Sequence, residues 1–267
     1  MKLGEIFGDA LKYPISNPQA LVIVGVIFLI ANLSSLLAQF GIRNSAFSTI
    51  WGIVAIIVSI LLVGYGLSVL KNAIGRGDDI PSFDWMQNFV DGIKYVVVQI
   101  VYMIVPTIVS MIIGFATIGP ALSRILTPEN ISQMATNSSS TTVILNSIPS
   151  SVWAGLFSGL VITAVVAIIF YIIFALFLAV AQCRLAKYDS LGKAFSFGEV
   201  YSDMKEIGIV NLIVFVVILW IIAIVIGMIG VFISAIPIIG IIITSLIINS
   251  FVLLYSNRAL GLLYSDI

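Results

Sequence analysis

Five stretches of this chain contain no charged side chain: Tyr13–Ile42, Asn44–Leu70, Tyr95–Ser123, Asn130–Cys183 and Ile207–Asn257. A helix crosses the hydrocarbon layer of a bilayer with about 20 apolar residues. The first three stretches therefore each hold one span, and the last two are long enough for two. The fourth opens with Asn130–Ser151, rich in Ser, Thr and Asn, so only Val152 to about Ala181 reads as membrane. The fifth carries Gly227, Gly230 and Ser234–Pro237 near its middle, a turn signal that folds it into a tight hairpin. Six spans are expected, at about 19–40, 48–71, 95–116, 153–182, 207–229 and 236–260. Backbone polar groups in lipid must be satisfied internally, and runs this continuous favour helices over the alternating strands of a barrel. The expected fold is an all-α integral membrane protein, a single membrane domain over 1–267. Composition agrees, since 9% of residues are charged against about 25% in soluble domains, and mean hydropathy is +1.21.

The few charges set an orientation. With a cytoplasmic N-terminus, Lys2, Lys12, Lys71, Arg76, Lys94, Arg184, Lys187, Lys193, Lys205 and Arg258 fall on the inner side, leaving Arg43 and Arg124 of the 12 basic residues outside. That bias places both termini in the cytoplasm and the protein in the cell membrane. No cleavable signal peptide is expected, because the first apolar run follows an Asp- and Lys-bearing segment. A formal net charge of zero gives no reason to expect a nucleic-acid partner.

One pattern recurs three times ahead of apolar runs: "IFGDALK" (Ile6–Lys12), "FVDGIK" (Phe89–Lys94) and "VYSDMKE" (Val200–Glu206). Leu3, Ile6, Phe7, Ala10 and Leu11 recur at the spacing of one apolar helix face, with Glu5, Asp9 and Lys12 opposite. Met86, Phe89, Val90 and Ile93 do the same against Asp84, Gln87, Asn88, Asp91 and Lys94. Phe197, Val200, Tyr201, Met204 and Ile207 form the third stripe against Glu199, Asp203 and Glu206. Placing an Asp or a Lys at the bilayer centre costs about 2.5–3.5 kcal/mol, so each segment is expected to lie in the headgroup layer as a short amphipathic helix. Tyr13-Pro14 and Asn17-Pro18 break the chain before the first span, whereas no comparable breaker follows Lys94 or Lys205. The candidate interfacial residues are Phe7, Asp9, Lys12, Trp85, Phe89, Asp91, Lys94, Tyr201, Asp203 and Lys205.

Each motif opens a unit of interfacial helix, span out, span back and basic exit, with boundaries near 1–76, 77–187 and 188–267. Asp9 and Asp91 are 82 residues apart and Asp91 and Asp203 are 112 apart, the excess matching a polar outer loop at 117–150. Two spans per unit keep all three parallel. The exits share "YGLSVL" (Tyr65–Leu70) and "YSNRAL" (Tyr255–Leu260).

The segments "GEIFGDALKYPISNP" (Gly4–Pro18), "IPSFDWMQNFVDGIKYVVVQIVY" (Ile80–Tyr102) and "IPIIG" (Ile236–Gly240) resemble a family of prokaryotic, often archaeal, multi-pass membrane proteins, domain-of-unknown-function family four thousand and thirteen. Pro81, Phe83, Asp84, Trp85 and Asp91-Gly92 carry the most specific part of the likeness. It implies a helical integral membrane protein and no activity. The layout is also similar to membrane regions attached to some glycerophosphodiester phosphodiesterases, whose soluble catalytic domain has no counterpart here.

Catalytic chemistry finds little to stand on. The chain has no histidine, removing the commonest general base and metal ligand. Its single cysteine, Cys183, excludes an internal disulfide and a thiolate cluster, while its place at a span end permits lipidation. Asp78, Asp79 and Asp84 together could hold hydrated Mg²⁺, but read more simply as a solvated loop capping a helix that starts near Asp84. Gly64-Tyr65-Gly66 reads as a packing site, and Gly155 with Gly159 as a close-contact face. The span cores contain no charge, which argues against a proton relay. Asn32, Gln39, Gln99, Asn211 and Asn249 are expected to join helices. Pro106 and Pro237 are expected to kink or interrupt the third and sixth spans. Outside, Thr127-Pro128 reads as a helix start, "TNSSSTT" (Thr136–Thr142) as a mobile stretch, and Asn130 and Asn137 as possible glycan acceptors. No cofactor or metal is expected, and no enzymatic activity. The leading expectation is a scaffold or membrane-organising subunit whose partners are membrane lipids and a second protein or another copy of itself; the alternative is a transporter or lipid-handling protein with an apolar cavity between repeats.

Overall fold

A computed structural model describes residues 2–136, 146 and 148–267, and among them it is helical throughout, without strands. Five helices are long and apolar enough to cross a membrane: α4 (Ser45–Ile74), α5 (Trp85–Ile125), α7 (Ser150–Tyr188), α10 (Ile209–Ser234) and α11 (Ile239–Tyr264). They correspond to the second through sixth expected spans. Shorter helices are α1 (Leu3–Ser16), α2 (Pro18–Ala31), α3 (Leu33–Gln39), α6 (Pro128–Thr136), α8 (Leu191–Ala194) and α9 (Phe197–Ile207). Many outward side chains of the long helices are large and apolar, among them Ile53, Ile112, Phe157 and Ile224, as the solvent of a bilayer requires. The chain is built for a membrane.

The first expected span differs from a simple rod. It is divided into α2 and α3 at Asn32, and α1 and α2 together are a helix pair bent by 77° that also passes the length and hydropathy test. The bend falls at Asn17-Pro18, with Pro18 as the first residue of α2. The Asn17 amide donates to the Tyr13 carbonyl at 2.8 Å and satisfies a helix-end acceptor. Pro14, in contrast, is carried inside the last turn of α1 and breaks nothing. Trp51 Nε1 donates to Ile30 O at 2.8 Å and Ser34 Oγ donates to Ser48 Oγ at 3.3 Å, so α2 and α3 run antiparallel along α4 as a hairpin.

Cα packing divides the chain into two compact units, one made of residues up to Ile100 together with Leu176–Ile267, the other of Val101–Ala175. In the larger, Val24 and Ile27 of α2, Val58, Leu62 and Tyr65 of α4, and Leu254 of α11 form a buried cluster. In the smaller, Ala121, Ile125 and Val152 pack together. There Gly159 meets the opposing helix so closely that a Cβ would stand 2.6 Å from Thr117 O, and Thr117 and Thr163 share a hydroxyl hydrogen bond of 2.8 Å. Gly155, its partner in the expected contact face, has open space around it.

Close helix approach in the larger unit also depends on glycine. A Cβ on Gly64 would lie 1.8 Å from Asn88 O, and one on Gly92 would lie 2.0 Å from Ile60 O, so α4 and the start of α5 touch backbone to backbone. Gly66 faces the Asn257 amide, and Gly25 of α2 lies against the backbone of Leu246, where α11 widens into a π-helical turn, Thr244–Asn249. Asn32 donates to Ser245 Oγ at 3.5 Å and so joins α11 as expected, while Gln39 accepts from the Ile238 amide in the turn before α11. Asn211 instead bonds within its own chain segment, to Ile207 O. Pro106 is accommodated inside a continuous α5, while Pro237 lies in the turn before α11 and leaves that helix's interior to the π turn.

Candidate functional site: the charged end of the larger unit

Two buried arginines of the larger unit each gather two carboxylates. Arg258, one turn and a half before the end of α11, has a side chain 3% exposed. Its Nε donates to Asp9 Oδ1 at 2.8 Å, one terminal amine donates to Asp78 Oδ1 at 2.7 Å, and the other donates to the Gly77 carbonyl. The guanidinium also lies over the Tyr13 ring, 4.9 Å from its centroid. A planar fork of five donors can serve all these groups at once, which an ammonium could not. Three parts of the chain, α1, the loop after α4 and α11, thereby converge on one side chain.

Arg184 repeats the arrangement near the end of α7. Its side chain is 5% exposed, NH1 donates to Asp203 Oδ2 at 2.5 Å, NH2 donates to Glu199, and Nε donates to the Lys193 carbonyl at 3.0 Å. Tyr264 of α11 donates to the same Asp203 carboxylate. The neighbouring Cys183 is buried, its thiol 3.8 Å from Leu260 O, so the packing of α7 on α11 covers the sulfur.

The second motif is not a separate helix. It forms the first turns of α5, continuous with the long helix. Asn88, on the polar face, is 1% exposed, whereas Met86, Val90 and Ile93 on the apolar stripe point outward. Backbone contact at Gly64 and Gly92 draws the polar face against α4, where Ser68 Oγ donates to Asn88 Oδ1 at 3.2 Å. Lys94 Nζ donates to Asp91 at 3.2 Å and to Asp189, beyond α7, at 2.6 Å.

The ten interfacial candidates thus fall at three places rather than one. Phe7 is buried and stacks on Phe215 at 5.1 Å, Asp9 holds Arg258, and Lys12 is exposed. Trp85 is exposed and stands edge-on to Phe83 at 4.9 Å, Phe89 is half-buried, and Asp91 and Lys94 pair. Tyr201 stacks on Phe177 at 6.4 Å with Lys205 Nζ 4.4 Å above its ring, and Asp203 holds Arg184. Ile6, Ala10, Val200 and Met204 of the first and third stripes are buried in protein. The third motif ends at Gly208, whose φ of +89° stops α9 and restarts the chain as α10.

The arginine anchors themselves stand outside that candidate set. A cation at the end of a long apolar run, at the matching place in "YSNRAL" and "AQCRLA", is the signal that marks them. The groups of the acidic loop have protein partners: Asp78 binds Arg258, the Asp79 carbonyl accepts from Tyr13, and Asp84 caps α5 by accepting from the Gln87 amide at 2.9 Å. Among the described residues no group of three or more His, Cys, Asp or Glu could hold a metal ion. In the smaller unit Thr127 caps α6 through the Asn130 amide at 3.2 Å, and the Asn130 side chain donates to Ile125 O. Asn137 and most of the Ser/Thr-rich stretch lie outside the described residues.

Neither the curated proteins nor the solved structures contain a match to this chain. A family model does match, over residues 47–235, a stretch that includes the second and third motifs and Arg184 but neither Asp9 nor Arg258. That is well over half of the chain, which therefore belongs to the family described as protein of unknown function (DUF4013).

Proposed function

We propose that this protein is a non-enzymatic, six-span scaffold of the cell membrane, with both termini cytoplasmic, whose inner face organises lipids or a protein partner. The observation that carries the reading is a contact that recurs around the charged end. The end of each unit's second long helix meets the motif that opens the next: Gly64 and Ser68 meet Asn88 and Gly92, Arg184 meets Asp203, and Arg258 meets Asp9. Ser68, Arg184 and Arg258 occupy matching places in their segments. Three parallel two-span units account for such a closed cycle, because two spans return the chain to the same side each time. The hairpin of α2 and α3 against α4 supplies the first span.

A ring locked by buried ion pairs is suited to holding a fixed surface, with Trp85, Tyr201 and Lys205 exposed on it. Exposed aromatic and basic side chains of this kind settle at the membrane interface. Crosslinking in native membranes tests the reading. It expects a reproducible lipid or protein adduct that weakens in Trp85→Ala with Tyr201→Ala; recovery of neither class of adduct would overturn it.

A lipid-handling role is the second reading, favoured by a laterally open groove of about 420 Å³ in the larger unit. Phe28, Val63, Ala223 and Ile248 give it apolar walls, with Tyr95 and Asn257 as polar groups. Purified protein in liposomes that neither scrambles lipid nor passes solute would count against this role.

A further inference from the structure

A second recess, of about 500 Å³, lies between the end of α4 and the start of α5, and its lining is polar. It exists because Gly64 and Gly92 hold the two helices in backbone contact, beyond which α4 ends at Ile74 and α5 starts from the far side of the connecting loop. Two buried polar atoms of residues on its wall have no hydrogen-bond partner: the Asn88 Nδ2 donor and the Asn72 Oδ1 acceptor. The Asn88 side chain is held by Ser68 on its other arm, so its amine is oriented without being satisfied. Leaving a buried donor or acceptor unpaired costs about 1–3 kcal/mol, and each such group calls for an explanation.

The remaining lining sorts by charge. Lys71 is exposed and has no ion-pair partner among the described residues. Asp91 is balanced by Lys94 and held by the Gln87 amide at 2.9 Å. Asp84 uses one carboxylate oxygen to cap α5 and leaves the other at the rim. The cleft thus offers a cation, Lys71, and an anion, Asp84, over two unpaired amide atoms that lie beneath its wall, Asn88 Nδ2 and Asn72 Oδ1. An anionic ligand alone would meet the carboxylates, and a cationic one would meet Lys71. A metal lacks ligands, since no suitable cluster exists among the described residues.

We propose that this cleft binds a small zwitterion carrying a primary ammonium and a phosphate or carboxylate, the chemistry of an aminophospholipid headgroup. The phosphate oxygens accept from Lys71 and the ammonium donates to Asp84, and a turn of the Asn88 and Asn72 side chains brings their unpaired amide atoms to the ligand. The site does not depend on the scaffold reading, because it needs neither a protein partner nor the ion-paired ring.

The test uses the purified full chain in phosphatidylcholine nanodiscs, with and without phosphatidylethanolamine, and in a separate arm soluble phosphoethanolamine. Thermal shift and native mass spectrometry are the readouts. Phosphatidylethanolamine should raise the melting temperature and be retained, and Lys71→Gln and Asp84→Asn should each weaken retention roughly ten-fold, the loss of one charge-assisted contact. Asn remains a good N-cap, so Asp84→Asn keeps the start of α5 intact, and Lys12→Gln serves as an unaffected surface control. Binding of soluble phosphoethanolamine alone would assign the cleft to a free metabolite of the same chemistry. Equal retention of the choline lipid, whose quaternary nitrogen cannot donate, would overturn the proposal, as would retention indifferent to both variants.

Discussion

Arg258 allows the strength of the charged end to be worked out from exposure. Its guanidinium is 3% exposed and has two carboxylate partners, Asp9 at 38% and Asp78 at 88% side-chain exposure. A hydrogen bond to a charged group contributes about 1.5–3 kcal/mol, and Asp9, more than a third exposed, keeps part of its hydration. Asp9→Ala is therefore expected to cost about 1–2 kcal/mol. Asp78 is nearly fully hydrated, so Asp78→Ala should cost under about 1 kcal/mol. Each single variant leaves the other carboxylate to compensate the buried cation, but the double variant leaves none. Its cost should then approach the roughly 3–5 kcal/mol of a broken buried pair, exceeding the sum of the singles. At roughly 2–4 °C per kcal/mol for chains of this size, the singles lower the melting temperature by a few degrees and the double by about 10 °C or so. Thermal unfolding of the four proteins in one detergent forms a double-mutant cycle. Additive losses, or a larger loss for Asp78→Ala than for Asp9→Ala, would refute the assignment of Arg258 as a jointly held buried cation.

Other outcomes follow from the same geometry. Gly64→Ala should separate α4 from α5 by more than 1 Å, since its Cβ would otherwise sit 1.8 Å from Asn88 O, and should cost at least the roughly 1–3 kcal/mol of overpacking; Gly52→Ala, with open space around it, should melt like the parent. Cys183, buried under Leu260, should resist maleimide in folded protein and react fully after denaturation, both followed by mass spectrometry. Thr127→Ala removes the cap of α6 and should speed amide exchange at Asn130 and Ile131 by an amount matching about 1 kcal/mol.

Five long helices were legible in the sequence because lipid solvent imposes a simple rule, an uncharged run of sufficient length, and α4, α5, α7, α10 and α11 each satisfy it. The first apolar run is harder to read. From Tyr13 to Ile42 it is as apolar as the others, but Asn32 divides it where the amide reaches Ser245, a partner 213 positions away that no local pattern reveals. The stripe over Met86–Ile93 is periodic, yet periodicity does not say which face is inside. In water the apolar face turns in; here two glycine contacts turn Asn88 in and leave Met86 out. Gly208 ends α9, but a glycine shortly after Lys205 looks ordinary in the sequence until its φ is seen to be positive. Arg184 and Arg258 could be seen as cations at the ends of apolar runs, but their partners lie 19 and 249 positions away. Pairing of that kind is a tertiary fact.

Membrane topology tests the six-span account most directly. With Cys183 replaced by Ser, single cysteines at Asn44, Glu129 and Ile236 should react with an impermeant thiol reagent on intact cells. Those at Asp79, Asp189 and Ser265 should react only after permeabilisation. If α2 and α3 fail to cross, Asn44 and Lys2 share one side and the chain has five spans. Labelling at Asn44 and at Lys2→Cys from the same side would contradict the account.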